Sequence, residues 1–169
     1  MSLTFRTQFR ELLSAIGTPA STDDIGGAQT LVHPALDVLW PNGTSDNQAD
    51  RFWCDYARTV ASATNDDLDL RALANGPGGA TIVMAEVRAI LLFWNTENTT
   101  DATLQPGASN GWTGLGATFL ATIKAGTYWR LIAGKNGNYP TTASDKVLRI
   151  ANSSGATATY SIAVIGCSA

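Results

Sequence analysis

Charge is what this chain has least of. Asp, Glu, Lys and Arg make up 15% of its 169 residues, against about 25% in ordinary globular domains; Ala, Thr, Gly, Ser and Asn take their place. So few charges do little to keep its surface apart from other surfaces, which favours extensive burial, part of it between subunits. The Lys and Arg are scattered and the net charge is −3. A phosphate-tracking groove needs several cations on one face, so nucleic acid is not an expected partner. Histidine occurs once, as His33 before a proline, and no Gly-x-Ser-x-Gly turn accompanies it to make a nucleophile system. The two cysteines, Cys54 and Cys167, have no Cys-x-x-Cys or Cys-x-His neighbour; a zinc or redox motif is excluded, and two free thiols are the plainer reading, with a disulfide, which their spacing does not indicate, as the alternative. The longest apolar run, residues 89–94, has strand length and falls far short of the roughly 18 residues of a membrane span. No charged-then-apolar leader is read at the start. The expectation is a soluble protein made and kept in a cytoplasm, with no membrane partner.

What is present divides into two parts, residues 1–47 and 48–169. In the first, Phe5, Phe9, Leu12, Leu13 and Ile16 fall at i, i+4, i+7, i+8 and i+11, the stripe of an amphipathic helix over residues 3–16. Gly17 and Pro19 supply its stop. A helix of this length is marginal alone, so its stripe must be covered, by its own domain or by a neighbouring subunit. Turn and breaker signals then crowd residues 17–50, which are read as an extended arm.

From residue 50 the pattern is β. Apolar and polar residues alternate over residues 51–61, and Val83, Ala85, Val87, Ala89, Leu91 and Phe93 form one unbroken apolar face of a long strand, with Glu86 and Arg88 on the other side. Further strand-like runs occupy residues 117–123, 127–133, 146–151 and 157–165, separated by Gly, Asn, Pro and Ser clusters. The spacing predicts a mainly β protein, an antiparallel β-sandwich or barrel carrying an N-terminal helix or extended arm.

Chemistry is sparse. Asp66, Asp67 and Asp69 form the densest acidic cluster, but neither the opposed carboxylates of a glycosidase nor the glycine and closing glutamate of a calcium loop accompany them. A charged strand start at the solvent edge is the plainer account, with a weak calcium site as the alternative. Gly76-Pro77-Gly78-Gly79 lacks the Lys and the helix of a phosphate cradle and is read as a hairpin turn. Five tryptophans, Trp40, Trp53, Trp94, Trp112 and Trp129, are the richest feature. Such rings build cores and subunit interfaces, or stack on sugars; Trp112, in the loop Asn110-Gly111-Trp112-Thr113-Gly114, is the one set for either surface role. No residue is assigned to catalysis, to a cofactor or to a metal, and no enzyme activity is expected.

Several segments in fixed order carry a family resemblance. They are Gln48-Ala49-Asp50 through Arg58-Thr59-Val60-Ala61 and on to Leu70, Val87-Arg88-Ala89-Ile90, Leu148-Arg149-Ile150-Ala151-Asn152-Ser153-Ser154-Gly155, Thr159-Tyr160 and Ile165-Gly166. Together, over residues 48–169, they resemble small virion structural proteins of tailed, siphovirus-like phages of proteobacteria. The first 40 residues and the polar turn 95–101 depart from that pattern. The resemblance implies a non-enzymatic β-sandwich built into the particle, placed here as a cement or decoration protein on the outer capsid surface. It also implies the major capsid protein as partner, a homotrimer, and residence in the virion after assembly in the host cytoplasm. A sugar- or receptor-binding appendage module and a tail or baseplate building block are the alternatives. The stripe Phe5, Phe9, Leu12, Leu13 and Ile16, with Trp112, is the expected assembly interface.

Overall fold

A computed structural model describes residues 7–11, 14–17, 29–32, 36–74, 79–134 and 137–168. The first of these form four short strands: β1 (Thr7–Glu11), β2 (Ser14–Gly17), β3 (Gln29–Val32) and β4 (Leu36–Trp40). Here the helical expectation is corrected: the described residues of 3–16 are extended. β1 runs antiparallel to β4, from Thr7 opposite Trp40 to Glu11 opposite Leu36, and β2 runs antiparallel to β3. A lone helix of this length gains too little from its own hydrogen bonds, whereas strands recruit partners farther along the chain, as Thr7 does Trp40 and Ser14 does Val32. Short apolar patterns also fit both periods, and Thr7, Phe9 and Ile16 favour strand. The extended part of the expectation for the arm therefore stands and the helical part does not.

The remaining strands are β5 (Arg51–Val60), β6 (Asn65–Asp69), β7 (Glu86–Trp94), β8 (Ala102–Pro106), β9 (Ala121–Ile123), β10 (Tyr128–Ile132), β11 (Tyr139–Pro140), β12 (Val147–Asn152) and β13 (Ala158–Cys167). They make two antiparallel sheets, one ordered β10-β7-β13-β5 with β11 also on β7, the other ordered β6-β12-β8-β9. The sheets face each other as a sandwich, as the alternation predicted. One core fills the space between them: Trp53, Ile90, Leu92, Trp94, Tyr160, Ile162 and Val164 from the first sheet meet Leu68, Leu104, Ile123, Leu148 and Ile150 from the second. β12 and β13 alternate buried and half-buried residues almost without fault, the signature of strands with one face on a core.

β7 departs from its sequence pattern in an instructive way. Ile165 on β13 faces Ala89, but the next residue, Gly166, faces Val87. Arg88 is the extra residue of a β-bulge, and it reverses the parity of the strand. Val87 joins the inner core with Ile90, Leu92 and Trp94, while Ala89, Leu91 and Phe93 turn to the outer face. The unbroken apolar face expected over residues 81–95 is thus divided between two sides. The bulge also requires Gly166, where a Cβ would collide with the carbonyl oxygen of Glu86.

The hairpin expected at the glycine-rich turn is framed by an antiparallel bridge between Leu73 and Ile82, whose amides and carbonyls exchange bonds of 3.0 and 2.8 Å. Gly76, Pro77 and Gly78 themselves lie outside the described residues.

Candidate functional site

The outer face of the β10-β7-β13-β5 sheet holds the molecule's most distinctive surface. Its two central strands give a low floor, Leu91 and Phe93 from β7 with Ser161 and Ala163 from β13, and its flanking strands give two raised walls, Tyr56 on β5 and Tyr128 on β10. The walls are 72% and 62% exposed. Between them lies a shallow groove of about 260 Å³ with no charged residue in its lining. Tyr128 is stacked on Phe93 with ring centroids 4.4 Å apart, which holds that wall upright at little entropic cost. Tyr56 is raised by a second irregularity: the register between β13 and β5 steps from Tyr160 opposite Arg58 to Ile162 opposite Asp55, so β5 carries an extra residue there. The Ser161 hydroxyl donates to the Tyr56 carbonyl at 2.8 Å and pins that bulge.

The same face continues beyond the groove to Ala89, Ile132 and Ile165, and there it is already covered. Trp40, the last residue of β4, is fully buried against these three and Ala49. Its indole Nε1 has no hydrogen-bond partner among the described residues, so apolar contact is what seats it. The loop from Pro41 to Ala49 is closed by a 3.0 Å bond from the Ala49 amide to the Pro41 carbonyl. Arg88, emerging from the bulge, holds the same loop through the carbonyls of Ser45 and Gln48.

The tryptophans fall in different places from a sugar-stacking surface. Trp112 is 1% exposed and belongs to the sandwich core. Its Nε1 donates to the Pro140 carbonyl at 3.0 Å, and Gly114 is needed because a Cβ there would meet the indole. The structure thus takes Trp112 away from any surface role, because its loop folds inward over the open end of the sandwich. Trp53 and Trp94 are buried likewise, their Nε1 groups donating to Ala74 and Thr100 carbonyls at 2.7 Å. Trp129 is half-buried against Phe119. Of the other expected interface residues, Phe9 lies in β1 and Ile16 in β2; Phe5, Leu12 and Leu13 lie outside the described residues, as does His33.

The acidic cluster is neutralised residue by residue. Arg58 grips Asp66 with two bonds of 2.7 and 2.8 Å, Arg149 grips Asp67 with two of 2.6 and 2.7 Å, and Lys146 reaches Asp69 at 2.7 Å. Each of the three carboxylates is thus paired with a cation of its own. Around Asp66 the pairing is deepest. The Tyr160 hydroxyl donates to the same carboxylate at 2.6 Å, and Arg58 also lies over the Trp53 ring. Burial alone would raise the Asp66 carboxyl, but the bonds from Arg58 and Tyr160 outweigh it and hold the group below the usual carboxylate range. Burial and that acceptor push the Tyr160 phenol upward. Both groups therefore stay in one protonation state near neutrality, as a structural tie does.

No family model, curated protein or solved structure matches this chain. The groove must be judged on its own chemistry. Tyr56 and Tyr128 were not legible as a pair, since only the register across four strands brings them to one face.

Proposed function

We propose that the chain is a non-enzymatic structural protein of a tailed-phage virion. In this reading it is a capsid cement or decoration protein that binds the outer capsid surface through the major capsid protein and stabilises the shell. The observation that carries it is the aromatic-walled groove, whose lining holds no charged residue, on a chain with few charges overall. Surfaces of this composition gain by being covered, and a cement protein works by burying area between subunits, of the order of 1,000 Å² or more per specific contact. The segments that resemble phage virion proteins supply β5, β6, β7, β12 and β13, so the likeness is one of scaffold. Copies of the chain are expected to associate, a trimer being the form that suits a three-fold position. Its final location is the virion, after assembly in the host cytoplasm.

The test is co-sedimentation of the purified protein with capsids that lack it. Saturable binding with a rise in capsid heat resistance is the expected result. Absence of binding, with the protein found in purified tails instead, would move it to the tail or baseplate. A second reading, sugar binding by a head or tail appendage, draws support from the exposed rings of Tyr56 and Tyr128. Ser161 is the only floor side chain able to hydrogen-bond a hydroxyl, which is thin provision for a sugar; a glycan array decides.

A further inference from the structure

We infer that the arm of this chain docks on its own sandwich, the β1–β4 ribbon lying over the groove between Tyr56 and Tyr128. A two-stranded ribbon is marginal by itself and needs an apolar face covered, yet among the described strands β1 and β4 pair only with each other. Their register places Leu36, Val38 and Trp40 of β4 on one face of the ribbon with Thr7, Phe9 and Glu11 of β1, because alternate residues and directly opposed residues share a face. Gln8, Arg10, Asp37 and Leu39 fall on the other. The first face is the one already joined to the sandwich, since Trp40 is buried against Ala89, Ile132 and Ile165.

That anchor fixes direction and reach. Toward Arg88 the outer face of the sheet is taken by the loop whose Ser45 and Gln48 carbonyls Arg88 holds. In the other direction lies the groove, which is uncovered in this structure. β7 advances four residues from Ala89 to Phe93, and β4 runs back four from Trp40 to Leu36, about 13 Å in each case at the rise of a strand. A ribbon laid along the sheet from Trp40 therefore brings Val38 and Phe9 to the level of Leu91, and Leu36 to the level of Phe93 and Tyr128.

Charge and area favour this occupant over a second copy. Arg130 stands on the same face of β10 as Tyr128 and Ile132, so a second copy would bring another Arg130 to this surface. The ribbon face that carries Trp40 has Glu11 as its one ionisable residue. At about 200 Å² per aromatic side chain, the exposed fractions of the two tyrosines come to roughly 270 Å², too little to hold two free molecules together. A tethered segment does not give up the freedom that a second molecule loses on association, so less area is enough. The docking does not rest on the virion reading; in that reading, the ribbon is what the capsid displaces.

Nitration of the full chain with tetranitromethane, followed by peptide mass spectrometry, reads Tyr56 and Tyr128 separately. Sedimentation velocity on the same samples gives the mass. Both tyrosines of the wild type are expected to react at least about tenfold more slowly than those of Val38→Asp, a ratio equivalent to about 1.4 kcal/mol of docking. Leu39→Asp, on the opposite face of the same strand, should stay as slow as the wild type. Circular dichroism and thermal unfolding confirm that the sandwich is folded; Val38→Ser replaces Val38→Asp if it is not. Equal rates in wild type and Val38→Asp overturn the inference, and so does equal loss of protection in Leu39→Asp. Protection that appears only as mass rises with concentration overturns it too, because a second copy then covers the groove. Loss of protection with capsid binding retained supports the docking, and protection without capsid binding counts against the virion reading alone.

Discussion

The Nη1 of Arg88 donates to the carbonyl oxygen of Gly137 at 2.7 Å, and this bond ties the turn before β11 to the bulge in β7. The same guanidinium reaches the Gln48 carbonyl at 3.1 Å and the Ser45 carbonyl at 3.3 Å, and its Nη2 lies 2.8 Å from Glu86 Oε2. With Arg88 only 1% exposed, its loss would take the charged donor from the Gly137 carbonyl and from Glu86 Oε2, while the Ser45 and Gln48 carbonyls would keep the Gln48 amide and the Cys167 thiol. Arg88→Met should therefore destabilise the fold by about 3–5 kcal/mol, the usual cost of removing one side of a buried charge pair. Arg88→Lys should recover only part of this, since an ammonium cannot reproduce the planar fork. Urea denaturation of both variants measures it, and an Arg88→Met change under about 1 kcal/mol would mean that the clamp is incidental.

Asp66 makes acid stability a readout of the Arg58–Asp66–Tyr160 tie. Its carboxyl is held below the usual range in the folded chain, so its contribution is complete above the unfolded-state value of about 3.9 and is lost as pH falls through the lower folded value. Asp66→Asn should cost about 1.5–3 kcal/mol at pH ~7, the worth of charge-assisted bonds. The gap to wild type should shrink steadily below pH ~4. Denaturation at neutral pH and near pH ~2 gives the two numbers; an unchanged gap would show that protonation of this carboxylate does not matter.

How much of this was legible beforehand depended on whether information was local. β5, β10, β12 and β13 were readable because their alternation is intact along the chain, and the sandwich followed from their spacing. β8 (Ala102–Pro106) was missed because ATLQP carries only two core residues, Ala102 and Leu104, too few to declare a period. The face of β7 was misassigned because one inserted residue, Arg88, reverses parity, and nothing in Val87-Arg88-Ala89 announces a bulge. The arm was misread as a helix for a related reason: β1 and β2 are strands by virtue of partners far along the chain. Trp112 was placed outside from its glycine-rich surroundings, whereas those glycines are what lets the loop fold the indole inward.

Asn152 joins the two sheets. From β12 its side-chain amide donates to the carbonyls of Val60 at 3.0 Å and Ala156 at 2.8 Å, and its oxygen accepts from the Thr100 hydroxyl at 2.6 Å. The residue is buried, so Asn152→Leu keeps the bulk but leaves these groups without partners. A loss of about 2–4 kcal/mol is expected, at about 1–3 kcal/mol for each stranded buried group with some relaxation. Thr100→Val, which removes a single donor, should cost about 1 kcal/mol. If the two variants prove equal under thermal unfolding, the amide does not bridge the sheets as described.

Trp112 separates a core role from a binding role most directly. Its indole packs edge-on to Tyr139, with centroids 6.2 Å apart, and closes the core beside Pro140. Trp112→Ala should cost about 3–5 kcal/mol through the cavity it leaves. At roughly 2–4 °C per kcal/mol for a chain of this size, melting should fall by about 10 °C. Trp112→Phe fills most of that volume but abandons the Pro140 carbonyl, so a loss of about 1–2 kcal/mol is expected. A surface-binding tryptophan would behave the other way, leaving Tm untouched and weakening only association. Measuring Tm and self-association on the same samples therefore decides the matter. A stable Trp112→Ala protein that no longer associates would return Trp112 to the surface, and an unstable one fixes it in the core.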